Sequence, residues 1–325
     1  MTDMIVLENL SKRFGELVAV DDISLTVGRG EVLGFLGPNG AGKSTTMKMV
    51  AGFLEPTAGT AQVCGFDVVT APVEVKKRIG YLPEGAPTYG DMTARRFLDF
   101  IAQIRGFDGA EKAKRIDEVV DKVILAEVMH QPIDTLSKGF KRRVGLAQSM
   151  LHDPEVLILD EPTDGLDPNQ KHHVRELIRD MAKDKAIVVS THILEEVEAV
   201  CSRAVIIARG KILADGTPEQ LIAQAPNHNA VVVAVDAGDA GKATAAAKAV
   251  SGVGDVTALD AANGAARFRV TPEAGTTIAL PLGEALRGAE ISVREIFVER
   301  GALDDVFREI TTGAAAAGEG GAHHA

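Results

Sequence analysis

The chain has 325 residues, 46% apolar and 25% charged, enough to bury one large and one small domain. Its 35 Lys and Arg against 46 Asp and Glu leave a net charge of −11, which repels phosphate backbones and anionic headgroups and argues against nucleic acid as a partner. No run of about 18 apolar residues is present to span a membrane, and Asp3 and Glu8 stand where a signal peptide would be basic and then apolar, so a soluble, cytoplasmic chain is expected.

In chain order, short β-type runs come first, at residues 5–7, 23–27 and 32–36, separated by glycines and charged turns. Residues 43–51 turn helical. Apolar residues at three-to-four spacing predict a helical insert over 93–128, broken near Gly106 to Gly109, and a further helix over 138–151. Residues 156–159 are fully apolar and lie between Pro154 and Pro162, which suits a buried parallel strand. Helix and strand alternate again through 175–182, 186–190, 194–201 and 204–208, arguing for a parallel sheet flanked by helices. Beyond Ala225 the chain grows rich in Ala, Val and Gly. Strands at 230–235 and 266–270, helices at 240–250 and 277–287, and a short amphipathic helix at 302–311 predict a small α/β domain over 226–312. The low-complexity stretch 313–325 is expected to be a disordered tail, with its His323-His324 pair inert. Cys64 and Cys201 lack C-x-x-C spacing and are expected to be free, buried thiols, with a single disulfide between them as the alternative.

The sharpest local pattern is Gly37-Pro38-Asn39-Gly40-Ala41-Gly42-Lys43-Ser44-Thr45, which fits G-x-x-x-x-G-K-[ST] between an apolar strand and a helix. Glycines let successive N–H groups turn inward around an anion, and the helix N-terminus adds its positive end. Lys43 supplies a cation for the β- and γ-phosphates of a nucleotide, and the Ser44 hydroxyl suits Mg²⁺. The plainer reading is a glycine-rich turn that caps a helix. The second pattern is Asp160-Glu161, at the C-terminal end of the apolar strand, where ligands bind in parallel sheets. Asp160 suits the metal or its water, and Glu161 suits polarising an attacking water. As isolated residues, both would read as solvated acids at a strand end. His192, just past the strand 186–190, is placed to sense a γ-phosphate.

Together these motifs resemble the nucleotide-binding subunits of ABC transporters over roughly the first 225 residues. Gly37–Thr45 stands as the Walker A loop and residues 156–161 as Walker B. Leu136-Ser137-Lys138-Gly139-Phe140 stands where the family has its signature segment, Leu166-Asp167 looks like the D-loop, and His192 matches the switch histidine. Phe14 matches the aromatic that stacks on adenine. The resemblance implies an α/β fold: a P-loop NTPase core of ABC type with an antiparallel β subdomain and a helical subdomain (about 86–150) inside a domain of 1–225, plus the small C-terminal domain. It also implies ATP and Mg²⁺ as cofactors, with Ser44, Glu84 and Asp160 as metal ligands. Two cassettes, identical or paralogous, would sandwich two ATP molecules head to tail, with Ser137 and Gly139 completing the opposite site and Asp167 linking the two. A separate multi-span membrane permease would hold the pair at the cytoplasmic face of the cell membrane.

The chain departs from the family pattern in two places. The signature reads LSKGF, without its second glycine and terminal glutamine, and Glu84 replaces a usual glutamine. A carboxylate still ligates Mg²⁺ but cannot donate an amide hydrogen bond. Both departures, and the run 136–170, resemble exporters of drugs, lipids and polysaccharides and the gliding-motility type. The basic run Lys141-Arg142-Arg143 is read as a solvated helix start. The rival readings are a soluble ABC-type ATPase acting on nucleic acid or ribosomes, which the acidic charge and single cassette oppose, and a P-loop kinase, which has no use for LSKGF, Leu166-Asp167 or His192.

Overall fold

The computed structural model describes residues 3–86, 88–262 and 264–319. The chain divides into two compact units, residues 1–218 and 219–325.

The first unit opens with an antiparallel hairpin, β1 (Asp3–Phe14) and β2 (Leu17–Gly28), whose turn at Gly15 sets Phe14 opposite Leu17. β3 (Val32–Leu36), α1 (Lys43–Val50), β4 (Ala58–Val63), β5 (Phe66–Asp67), α2 (Pro72–Arg78) and β6 (Ile79–Leu82) follow. Three helices then lead to β7 (Val156–Asp160): α3 (Ala94–Ile104), α4 (Gly109–Lys122) and α5 (Lys138–Met150). The unit closes with α6 (Pro168–Ala182), β8 (Ala186–Thr191), α7 (Leu194–Val200), β9 (Arg203–Ala208) and β10 (Lys211–Gly216).

These strands form two sheets. One is antiparallel, in the order β2-β1-β4-β5; the other runs β10-β9-β3-β8-β7-β6, parallel from β9 to β6, with β10 returning antiparallel. One apolar core joins the two, with Ile5, Leu25 and Val63 from the first packed with Phe35, Ile158 and Val188 from the second and Met47 from α1. β3, β7 and β8 are buried along their whole length, so each is a near-continuous apolar run. Their C-terminal ends open on one edge of the sheet, where the loop to α1, Asp160-Glu161 and Thr191-His192 follow.

α6 begins at Pro168, earlier than the expected 175. Asp167 caps it, accepting from the Gln170 N–H at 2.9 Å, and the fixed φ of Pro168 suits the first turn. Cys64 and Cys201 are free thiols, though Cys64 is only half-buried. No helix of the described residues is long and apolar enough to cross a membrane.

The second unit follows the short helix α8 (Pro218–Ile222) with β11 (Ala230–Asp236), α9 (Ala240–Lys248), β12 (Val253–Ala262), β13 (Ala265–Pro272), α10 (Ala279–Gly288), β14 (Val293–Glu299) and α11 (Leu303–Glu319). Its antiparallel sheet runs β12-β13-β11-β14, a split β-α-β-β-α-β arrangement. Val231, Val233 and Val235 alternate onto one face and pack against Ala243, Ala247, Leu282 and Leu286 of α9 and α10. The division falls before the expected Ala225 because Ala225 and Ile222 pack close against Gly301 of this unit. α11 runs to Glu319, past the Gly313 where a disordered tail was expected; the run Ala314 to Ala317 has the strongest helix propensity of any residue type. Residues 320–325, with the His323-His324 pair, lie outside the described residues.

Candidate functional site

The loop between β3 and α1 excludes side chains at two points. A Cβ on Gly37 would lie 2.3 Å from the Ile207 carbonyl, and one on Gly42 (φ 106°) would lie 2.5 Å from the Ala19 carbonyl. These approaches seat the loop against β9 and β2, and the positive φ of Gly42 turns the chain into α1. Lys43 is only 7% exposed, and its Nζ donates to the carbonyls of Gly37 (2.6 Å) and Pro38 (3.1 Å). Burial lowers its pKa, while the carboxylates of Glu161, Asp160 and Glu84 oppose that shift and favour the cation.

Across the cleft, Asp160 ends β7 at 2% exposure, and its Oδ2 has no hydrogen-bond partner among the described residues. Ser190 Oγ, on the adjacent strand, is likewise unpartnered. Glu161 follows in the left-handed region (φ 53°), uncommon for a residue with a side chain. Its N–H donates to the Ser190 carbonyl at 2.9 Å, and its Oε1 accepts from His192 Nδ1 at 2.9 Å. Burial raises the Glu161 pKa, and the hydrogen bond from His192 pulls the other way.

A cleft of about 420 Å³ is lined by Phe14, Leu17, Ala19, Asn39, Gly40, Ala41, Gly42, Lys43, Ser44, Thr45, Glu84, Asp160, Glu161 and Ser190. Half-exposed Phe14 stands at the hairpin tip, with the Lys12 ammonium 5.3 Å from its ring centroid. Gly37 and Pro38 form the base of the loop and hold Lys43, and His192 joins the group through Glu161. The described residues hold no cluster of three His, Cys, Asp or Glu side chains suited to a metal. Mg²⁺, however, takes one or two carboxylates and leaves its remaining positions to hydroxyls, water and substrate phosphates. The unpartnered Asp160 Oδ2, with Ser44 and Glu84 on the same cleft, fits that donor set.

Ser137, Gly139 and Asp167 are not among the residues lining this cleft. Ser137 caps α5, accepting from the Phe140 N–H at 3.3 Å. Gly139 abuts the segment before α6, where a Cβ would lie 3.0 Å from the Gly165 carbonyl, and Lys138 pairs with Asp164 at 2.8 Å. The LSKGF and Leu166-Asp167 segments therefore sit side by side.

The basic run is not a solvated helix start. Arg142 and Arg143 are 4% and 5% exposed. Arg143 donates to the Ile124 carbonyl at 2.7 Å and stacks on the Phe140 ring at 4.2 Å; Arg142 turns inward beneath the cleft. Spacing carried the missing signal, since Gly139, Arg142, Arg143, Leu146, Ala147 and Met150 share one helical stripe. Sequence reading also missed buried Glu196, whose carboxylate accepts from Thr163 and, at 2.9 Å, from Thr191, tying the loop after Glu161 to the end of β8.

The model of the family described as ABC transporter matches residues 20–164. The Nod factor export ATP-binding protein I of Ralstonia nicotianae is 36% identical over 236 residues, which cover 72% of this chain and 74% of that one. The chain belongs to the ABC transporter ATP-binding family. The probable multidrug ABC transporter ATP-binding protein YbhF of Escherichia coli is 37% identical over 228 residues, and there the matched part of this cassette protein spans 39% of the relative's length. A solved ATP-binding subunit of an ABC transporter superposes at a TM-score of 0.64 with 31% identity, covering 68% of this chain and 92% of that one. As in the family, the cassette joins a P-loop core to an antiparallel sheet and a helical segment.

Proposed function

We propose that this chain is the ATP-binding and hydrolysing subunit of an ABC exporter, acting as one of a pair of cassettes beneath a separate membrane-spanning permease. The observation that carries the reading is the Glu161–His192 contact, which lies at the same cleft as the Lys43 loop and Asp160.

In this reading the loop Gly37–Thr45 holds the phosphates through its N–H groups and Lys43, and Phe14 stacks on the adenine. Glu161 accepts a proton from the attacking water, and its burial-raised pKa makes it a stronger base. His192 orients that carboxylate and contacts the γ-phosphate. Ser44, Asp160 and Glu84 would hold Mg²⁺, which when bound would supply positive charge against the charge that develops on the phosphates. Ser137 and Gly139 meet the nucleotide of the opposite cassette, and Asp167 links the two sites. Their place outside this chain's own cleft supports a site completed by a second copy or a paralogue. An export role, at the cytoplasmic face of the membrane, is supported by the relatives whose names refer to Nod factor export and multidrug transport.

The test is to hold a tagged Glu161→Gln chain with ATP, extract it from native membranes and identify its companions by mass spectrometry. Recovery of a multi-span membrane protein is expected. Recovery only from the soluble fraction, with ribosomal or DNA-associated proteins, overturns the export reading.

A further inference from the structure

Arg142 lies one turn into α5, directly after the LSKGF segment, yet its guanidinium contacts neither that segment nor solvent. Every nitrogen of the fork is used. Nε donates to the Glu161 carbonyl at 2.8 Å, Nη1 to the Pro83 carbonyl at 3.0 Å, and Nη2 to the carbonyls of Asp160 and Glu161. These acceptors stand where two neighbouring parallel strands, β6 and β7, run out and the chain turns into the cleft. A planar fork of fixed donors suits this task, which a point-charge ammonium cannot reproduce.

The consequence falls on Glu161. Its left-handed backbone is unfavourable for a residue with a Cβ and persists only where its surroundings hold it. On one side its N–H is fixed by the Ser190 carbonyl; on the other its carbonyl is fixed by Arg142. That conformation aims the carboxylate at His192. The same guanidinium fixes Pro83, the residue before Glu84, whose side chain lines the cleft from the other strand.

We propose that Arg142 is a positioning residue for Glu161, making the geometry of the water-polarising carboxylate depend on the seating of helix α5. This rests on the reading of Glu161 as the base. Because Ser137 caps α5, the segment proposed to meet the opposite nucleotide is rigidly connected, one helical turn on, to the carboxylate of its own site. Arg142 touches no substrate, so its loss acts on kcat and spares nucleotide affinity.

The experiment uses the purified full chain as wild type, Arg142→Met, Arg142→Lys, Glu161→Gln and the Arg142→Met/Glu161→Gln double variant. Steady-state ATPase kinetics are paired with binding of a fluorescent ATP analogue, and single turnover is measured for the two chains bearing Glu161→Gln. Arg142→Met should lower kcat about 10- to 100-fold, the effect of misplacing a catalytic group by about 1 Å, with KM and analogue affinity kept within about twofold. Arg142→Lys, which keeps the cation and part of the donor set, should fall between; if the Met variant does not fold, the Lys variant is read the same way. Combined with Glu161→Gln, the Met substitution should cause no further loss, since the group it positions is already removed. An unchanged kcat, a parallel loss of nucleotide affinity, or a repeated loss in the Glu161→Gln background overturns the proposal. A Glu161→Gln chain that hydrolyses ATP at the wild-type rate overturns the reading of Glu161 as the base, on which the proposal rests, and the proposal with it.

Discussion

In the first unit the buried polar side chains include Lys43, Arg142, Arg143, Asp160, Thr163, Ser190, Thr191 and Glu196, whereas the described residues of the second unit contribute none. The second unit's ion pairs include Arg269 on Glu299 at 2.6 Å and Arg294 on Asp236 at 2.5 Å, each partly exposed, while Arg267 Nε is buried with no hydrogen-bond partner among the described residues. Its core is Val, Ala, Leu, Ile and Phe alone. Burying a charge costs stability unless it is paired, and even then the pair often only breaks even. The first unit carries buried charges that the described residues of the second do not. The buried charges also converge, since Lys43, Asp160 and Arg142 all approach the C-terminal ends of the same parallel strands.

The largest test of this contrast is Glu161→Gln. Losing a general base should lower the hydrolysis rate about 10²- to 10⁴-fold, measured as phosphate release, while ATP binding is kept. Hydrolysis at the wild-type rate would remove the base from this cleft. The second unit offers the complementary test. Phe268, 3% exposed, is the one aromatic among the buried members of that unit's core cluster. Phe268→Ala should cost about 3 kcal/mol, through lost burial and the cavity left behind. Calorimetry should locate that loss in the second unit's transition, with nucleotide affinity unchanged. If affinity for ATP falls with it, the two units are energetically coupled and the contrast breaks.

What was legible in the sequence follows the same division. β3, β7 and β8 stood out because strands covered on both faces must be continuously apolar, and the loop Gly37–Thr45 because a cradle for phosphate tolerates so few residue types. β4, β6 and β10 were missed. Their exposed or short runs, such as Ala58–Val63 with three exposed residues before its buried end, carry no period strong enough to read. β14 was invisible for a similar reason, since five of its residues are exposed at the sheet edge. Among site residues, those of the loop Gly37–Thr45, Asp160 and Glu161 were readable from motif spacing. Those that act through another residue were not, because Arg142 in a basic run is indistinguishable from a solvated arginine until its acceptors, main-chain carbonyls distant in sequence, are known.

The smallest effect expected concerns pH. His152, in the turn between α5 and β7, donates from Nε2 to the Ile79 carbonyl at 3.0 Å, and its Nδ1 has no partner among the described residues. Burial, aided by the charges of Arg105 and Lys185, pushes its pKa down to about 4 from the ordinary 6.5. The native state therefore holds the ring neutral through a range where the unfolded chain protonates it. Stability from this group is fully present above 6.5 and is lost as pH falls from there toward 4. The loss amounts to about 2 kcal/mol by about pH 5. Glu161 acts with the opposite sign, because its raised native pKa lets the folded state take up a proton before the unfolded chain does. Comparison with His152→Gln, whose amide can keep the bond to Ile79 without titrating, isolates the histidine. Acidification from pH 7 to 5 should cost the wild-type first unit about 2 kcal/mol more than the variant, while the second unit's transition, with no buried titratable group among its described residues, responds alike in both. Equal losses in the two chains would mean that His152 protonates alike in the folded and unfolded chains, and that its burial does not set the first unit's response to acid.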